Sequence, residues 1–289
     1  MKFTAWEVRK KQEKRYLKAL KKLRRFILHL IDKDDDLPQI LNHLETIAKS
    51  KELDRWANRY AYTFVTGLQE ENARTWRQAA AKSSQGQRMY NALQKTLRGP
   101  VGDRVQELIE SNAQYIKSIP QTAAKELVQF TASKAYADNR NTYTADKFKG
   151  LTAGLTEKHA KLISRTETAK AHAALTQARA ESIGVDWYIW HTCEDQRVRS
   201  AHRILDGVLC RFSDNPHPEL LAGKADRGAY SPGNIYNCRC YAEPVIEWSL
   251  IQWPMRVHSA GRITRINKRD FEKQFGKIPN PYETIEQYS

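Results

Sequence analysis

Apolar residues recur at spacings of three and four through much of the first half of the chain, which places them on one face of an α-helix. In the segment that shows this best, the apolar positions are Tyr16, Leu17, Leu20, Leu23, Ile27, Leu28 and Ile31. A second stripe runs from Leu53 to Trp76. Two further helices are predicted at about 105–116 and 123–136, separated at Pro120 because proline interrupts helical hydrogen bonds. The first 149 residues are therefore predicted to be mostly helical.

Polar, proline and glycine residues mark where these helices begin and end. The acidic run 32–36 ends the first helix, and Pro38 suits the first turn of the next. Gly99 and Pro100 form a break, and the polar stretch 138–144 has no apolar periodicity, which is typical of a linker.

The pattern changes after Gly150. A helix at 156–182, capped by Gly184, is followed by strands at 185–192, at about 208 and at 239–246. A final helix is indicated by Asn267 as its cap, by Phe271 and Phe275 inside it, and by Gly276 after it. The predicted fold class is α+β: an extended, mostly helical region (1–149), a small α+β domain with a short sheet (150–248), and a basic C-terminal tail with a short helix (249–289).

The chain is strongly basic, with 48 lysines and arginines against 33 acidic residues and a net charge of +15. Eleven of the basic residues lie between positions 2 and 25, where only Glu7 and Glu13 oppose them. Such a helix can bind phosphates or an acidic surface without reading sequence, and a solvated helix face is the alternative. The predicted contact residues are Arg9, Lys10, Lys11, Lys14, Arg15, Lys18, Lys21, Lys22, Arg24 and Arg25.

The sequence also bears on the compartment. It has no apolar run of the length that spans a membrane and no signal-peptide pattern, so we expect no membrane partner. Four cysteines in 289 residues are too few for a disulfide scaffold, which favours a reducing compartment.

Cysteine and histidine residues form the first candidate site. Cys238 and Cys240 lie two residues apart, so on a strand they would face the same side. With His202, and with Cys193 or Cys210 as a fourth ligand, they could bind zinc. The alternative is that both thiols are buried and inert, while His202 hydrogen-bonds a neighbour.

A polar cluster of Asp195, Arg197, His202 and Asp206 suggests a hydrolase, because a histidine beside carboxylates can act as a general base. The sequence lacks a serine elbow, a phosphate-binding glycine loop and a His-Glu-x-x-His motif. We therefore expect these residues to hold a turn together and not to catalyse a reaction.

Several short motifs follow one another between Ser164 and Pro244. They are Arg165-Thr166-Glu167, Trp190, Asp195-x-Arg197-Val198, His202, Leu205-Asp206-Gly207 and Asn237-Cys238-Arg239-Cys240. In this order and spacing they resemble the Mu F-like family of phage head morphogenesis proteins. Some members of that family carry cysteines where this chain has Arg199 and His202, which removes one candidate ligand and bears against zinc.

The resemblance implies a non-enzymatic minor capsid protein of a tailed bacteriophage, located inside the virion near the portal vertex. Its role would be head assembly, DNA delivery or DNA ejection. The implied partners are the portal protein and packaged double-stranded DNA bound without sequence specificity, with the major capsid or scaffolding protein as further candidates. The alternative function is a metal-dependent nuclease or hydrolase that uses Asp195, His202 and the cysteine pair.

Overall fold

The computed structural model describes residues 6–7, 10–32, 35–83, 86–95 and 99–278. The helices in these ranges are α1 Lys10–His29, α2 Leu37–Lys49, α3 Lys51–Ala80, α4 Gly86–Lys95, α5 Pro100–Thr131, α6 Lys134–Ala137, α7 Ala145–Ser182, α8 Ser200–Arg203, α9 Pro218–Leu221 and α10 Lys268–Phe275. The strands are β1 Trp187–His191, β2 Val208–Arg211, β3 Tyr241–Pro244, β4 Met255–Ser259 and β5 Arg262–Ile266. This composition confirms the predicted α+β class.

The chain forms two compact units. Unit 1 comprises Met1–Val8, Leu68–Gln106 and Ala169–Ser289, and unit 2 comprises Arg9–Gly67 and Glu107–Thr168. The chain passes from one unit to the other within α3, α5 and α7. The division at residues 149 and 248 remains a prediction, and residue 149 falls within α7.

Unit 2 is built from helices that bury the apolar stripes seen in the sequence. On α1 the buried side chains include Tyr16, Leu20, Leu23 and Ile27. The Tyr16 ring stacks on Phe64 of α3, with ring centroids 3.9 Å apart. The helix predicted from the apolar spacing is confirmed, and its stripe packs on other helices of the same unit.

Helix α2 begins where the acidic run 32–36 and Pro38 predicted it to begin. Asp36 caps the helix by accepting a 2.9 Å hydrogen bond from the backbone N–H of Gln39, whose side chain accepts in turn from the Asp36 N–H. Pro38 lies in the first turn, where its missing N–H costs nothing.

The prediction of two helices separated at Pro120 is wrong, because α5 continues through this residue to Thr131. A proline inside a helix costs about 3 kcal/mol. The buried residues Ile116, Ile119, Ala123 and Leu127 flank it on both sides. Each contributes about 1–3 kcal/mol through burial, so packing outweighs the lost hydrogen bond.

Unit 1 contains one mixed sheet with the strand order β3-β1-β2-β4-β5. Strand β1 pairs antiparallel with β2 and β3, and β2 pairs parallel with β4. Strands β1, β2 and β3 confirm the three strands that the sequence predicted. The predicted Leu-Asp-Gly turn precedes β2, and Gly207 adopts φ +71° there, a conformation that suits glycine.

The hairpin of β4 and β5 lies in the region that was predicted to be a tail with only a helix. Its strands bury few side chains, Val257 and His258 among them, so the alternation that marks a strand is weak. The predicted final helix is confirmed as α10, where Asn267 caps the first turn and Phe271 is buried against Trp187.

Among the helices of the described ranges, none has an apolar stretch of the length that crossing a membrane requires.

Candidate functional site

Three predicted metal-ligand candidates come together in unit 1. His202 lies on α8, and Cys238 and Cys240 lie in the segment immediately before β3, not on the strand itself. Each is only 2% exposed. Gly233 precedes this segment at φ +92°, and a Cβ there would lie 3.2 Å from the Cys240 carbonyl oxygen, so glycine permits the close approach. Both cysteines are therefore buried beside His202.

The distances between the donor atoms match a tetrahedral metal site. The Nδ1 atom of His202 lies 3.5 Å from the Cys238 Sγ and 3.4 Å from the Cys240 Sγ. A tetrahedral zinc ion with ordinary Zn–N and Zn–S bond lengths requires about 3.5 Å between a nitrogen and a sulfur ligand. The three donor atoms all lie within 4.8 Å of one another. The residues present therefore fit three ligands of a zinc ion.

A hydrogen-bond chain orients the histidine ring. The His202 Nε2 lies 3.0 Å from the Tyr230 hydroxyl, which donates a 2.7 Å hydrogen bond to the buried carboxylate of Glu219. Because the tyrosine proton goes to Glu219, the hydroxyl oxygen accepts from an Nε2–H. This tautomer leaves the lone pair of Nδ1 facing the two sulfurs, and outer partners of this kind typically support metal-binding histidines.

The two thiols differ in acidity because they share one hydrogen bond. The Cys240 S–H donates to Cys238, which holds the pKa of Cys238 well below its usual value, and His202 adds to this effect. The same bond, with burial, raises the pKa of Cys240. Cys238 is thus the residue that most readily supplies a thiolate, the form that binds metals.

Neither proposed fourth ligand joins the three-residue cluster. Cys210 lies on β2, where its thiol donates to the Val208 carbonyl oxygen at 3.6 Å. Cys193 lines the same cavity of about 100 Å³ as the cluster, and burial raises its pKa. Of the two proposed fourth ligands, Cys193 is therefore the one that lines the same cavity as His202, Cys238 and Cys240.

The carboxylates of the cluster that suggested a hydrolase form hydrogen bonds and ion pairs with residues other than His202. Asp195 forms a two-pronged ion pair with Arg239 and accepts a 3.0 Å hydrogen bond from the Arg197 N–H. The ion pair lowers the pKa of Asp195 to about 2. Asp206 accepts hydrogen bonds from the N–H and hydroxyl of Thr192. Asp195 and His202 line different cavities.

The other motif residues have distinct positions. Trp190 is buried on β1 with its ring edge towards His202, at 5.6 Å between centroids. In unit 2, Arg165 lies 3.7 Å from Glu13, and Glu167 is buried.

Two residues of the histidine's hydrogen-bond chain were not identified from the sequence. Tyr230 lies in the long loop after β2, and Glu219 lies on the short helix α9. Neither stands at a fixed spacing from His202, so the sequence carried no signal for their contact.

The predicted basic residues of α1 divide into two groups. Lys21 and Arg24 lie 4.0 and 3.6 Å from Glu157 of α7 in the same unit. In the part of the chain that the structure describes, the remaining ones form no ion pair, and these are Lys10, Lys11, Lys14, Arg15, Lys18, Lys22 and Arg25. Arg9 lies outside the described residues.

Six of these cations share one face of α1. We define the basic face as Lys11, Lys14, Arg15, Lys18, Lys22 and Arg25, all of which are exposed. At 100° per residue they fall within a sector of about 100°, and they extend over about 21 Å of the helix axis. The buried stripe lies on the opposite side, so six unpaired cations point to solvent in one direction.

Comparisons with known proteins identify a relationship over part of the chain. A family model described as Phage Mu protein F like protein matches residues 111–243. An uncharacterised protein of Haemophilus influenzae is 33% identical over 147 residues, which make up 51% of this chain and 30% of that relative. The chain thus spans less than a third of that relative's length. No solved structure matches.

The family match is longer than the motifs that suggested it. It begins at residue 111 within α5, whereas the motifs begin at Ser164, so it includes part of the region assigned to the helical arm. It ends within β3 and contains the complete His202, Cys238 and Cys240 cluster. This match supports the resemblance to the Mu F-like family of phage head morphogenesis proteins over residues 111–243 of the chain.

Proposed function

We propose that this chain is a minor head protein that lies inside the capsid near the portal vertex and contacts packaged double-stranded DNA. The family supports a role in the phage head. The observation that carries the finer proposal is the basic face of α1, because it presents six unpaired cations on a folded helix.

The geometry of the basic face suits a phosphate backbone. Duplex DNA carries one negative charge per about 1.7 Å of its axis, so a row of cations about 21 Å long lies beside several phosphates. Contacts of this kind release counterions and ignore base sequence. Six contacts imply a log–log dependence of affinity on salt with a slope of about −5.

A pair of neutralised variants tests this proposal. In the first, the six residues of the basic face are replaced by glutamine. In the matched control the same number of exposed cations is replaced elsewhere in unit 2, at Lys51, Arg59, Lys125, Lys134, Arg140 and Lys147. We expect only the first variant to flatten the salt slope for random duplex DNA, by about 5.

The same two variants distinguish DNA from an acidic portal surface as the partner of the basic face. If the basic face binds the portal, its neutralisation leaves DNA affinity unchanged but abolishes association with purified portal. Equal effects of the two variants on both partners would overturn the proposal, because net charge alone would then explain them.

We also propose that His202, Cys238 and Cys240 hold a structural zinc ion. The support is the pair of nitrogen–sulfur distances together with the orientation of His202 by Tyr230. Elemental analysis of protein purified without chelators is expected to give about one zinc per chain. Cys238→Ser should lose the zinc, whereas Cys210→Ser, a buried thiol outside the cluster, should retain it. Equal zinc contents in the two variants would contradict the proposal.

We propose that the site is not catalytic. Asp195 is held by Arg239, and His202 points its ring nitrogens at the thiols and Tyr230, so no free base faces a substrate. Metal-dependent DNA cleavage by the wild type that disappears in His202→Ala would favour the nuclease alternative instead.

A further inference from the structure

A buried arginine in unit 1 has no counter-charge in the part of the chain that the structure describes. Arg179 lies on α7, is 2% exposed, and its Nη1 atom has no hydrogen-bond partner. None of the ion pairs of the described residues includes it. A buried guanidinium is normally paired with a carboxylate or another anion.

The guanidinium nevertheless remains charged at neutral pH. Burial and the neighbouring positive charge of Arg77 lower the pKa of Arg179 only to about 10. An unpaired charge in the protein interior is strongly destabilising, and a second cation beside it increases the repulsion. The arrangement is therefore best satisfied by an anion from outside the described residues.

A second residue that lines the same cavity also carries an unsatisfied donor. Arg179 lines a cavity of about 130 Å³ together with Trp76 and Arg77 of α3. The Nε1–H of Trp76 is buried and also has no hydrogen-bond partner. A cavity of this size holds several water molecules or a small anion. Glu70 also lines the cavity but is exposed, as is Arg77, so both lie where it meets solvent.

We propose that this cavity binds a small tetrahedral oxyanion, inorganic phosphate or the terminal phosphate of a monoester. Two guanidinium groups and an indole N–H offer only donors, and planar guanidinium groups bind phosphate oxygens in pairs. A phosphodiester of duplex DNA does not fit, because Arg179 is almost wholly enclosed and a backbone phosphate is flanked by sugars on both sides. The site thus differs from the basic face of α1 in both position and ligand.

Isothermal titration of the full-length protein with sodium phosphate, at constant ionic strength in sodium chloride, tests the proposal. We expect one phosphate per chain with a Kd below about 1 mM. Arg179→Met, which fills the space without charge, is expected to abolish saturable binding. Arg77→Gln should weaken it about tenfold. Arg74→Gln, an exposed arginine on the same helix that does not line the cavity, is the matched control and should bind as the wild type does.

Several results would overturn the proposal. They are the absence of saturable phosphate binding by the wild type, and phosphate binding by Arg179→Met with wild-type affinity. The same titration with sodium acetate is a further test, because acetate binding tighter than phosphate would assign the cavity to a carboxylate ligand. If Arg179→Met does not fold, Trp76→Phe and Arg77→Gln test the proposal in its place. Each removes one donor and should weaken phosphate binding, and wild-type affinity in both would contradict the proposal.

Discussion

The two units place their ionisable groups differently. Within the described residues, the buried histidines and the buried arginine all lie in unit 1: His172, Arg179, His191, His202 and His258. In unit 2 the basic residues of α1 are exposed or partly exposed, and the buried side of that helix is mostly apolar. Unit 1 therefore buries histidines and an arginine in its interior, whereas unit 2 keeps the basic residues of α1 at its surface. We expect the stability of unit 1 to respond to pH and ligands in a way that the stability of unit 2 does not.

The largest expected effect concerns the zinc ion that we propose for unit 1. Binding to a structural site stabilises the folded state that contains it, so a chelator should lower the free energy of unfolding of unit 1 by at least about 3 kcal/mol. Hydrogen exchange in peptides from β1 and β3 should accelerate, while exchange in α1 stays unchanged. Cys238→Ser should respond little to the chelator, and Cys210→Ser should respond as the wild type does. If the chelator accelerated hydrogen exchange equally in both units, the two units would not differ in their dependence on zinc.

A second effect concerns His172, which is buried in unit 1. Burial lowers its pKa to about 4, so between pH 6.5 and 4 the unfolded chain binds a proton that the folded chain does not. Stability is thus fully present above about pH 6.5 and falls as the pH drops to 4, by about 3 kcal/mol in total. Burial lowers the pKa of His258 in the same direction.

Tryptophan fluorescence during urea unfolding measures this loss. Six of the seven tryptophans lie in unit 1, and only Trp56 lies in unit 2. His172→Gln should reduce the loss of stability between pH 6.5 and 4. An unchanged pH dependence in this variant would show that His172 is not the responsible group.

The two units also differ in how well their structure can be predicted from the sequence. Helices such as α1 and α3 were predicted because a helix that buries one face repeats its apolar residues regularly. The β4–β5 hairpin was missed because its residues are mostly polar and partly exposed, so no alternation marks it. At the site, the Cys238–Cys240 spacing pointed to a ligand pair. The contact of His202 with Tyr230 could not be predicted, since 28 residues separate them and only the loop path brings them together.

A smaller effect is expected in the interior of unit 2. The Tyr16 hydroxyl donates a 3.2 Å hydrogen bond to the Asn112 Oδ1, and both residues are buried. Tyr16→Phe keeps the stack on Phe64 but leaves the amide oxygen unsatisfied, which should cost about 1–2 kcal/mol. Tyr62→Phe, at a tyrosine that is 59% exposed, is the matched control and should cost almost nothing. Hydrogen exchange in α1 and α5 should accelerate in Tyr16→Phe, and unchanged or slower exchange there would contradict this prediction.

The smallest effect is expected at the surface of unit 2, at the start of α2. The Asp36 side chain accepts a hydrogen bond from the Gln39 N–H, and the Asp36 N–H donates one to the Gln39 side chain, so the capping box joins these two residues. Asp36→Ala removes the acceptor for an otherwise unpaired N–H and should cost about 1 kcal/mol. Asp36→Asn keeps a capping oxygen and should cost only a few tenths of that amount. Faster exchange should be confined to the first turn of α2, because the two hydrogen bonds of the cap join only Asp36 and Gln39. Acceleration that reached the sheet peptides of unit 1 would show that the two units do not respond independently, and the comparison between them would then fail.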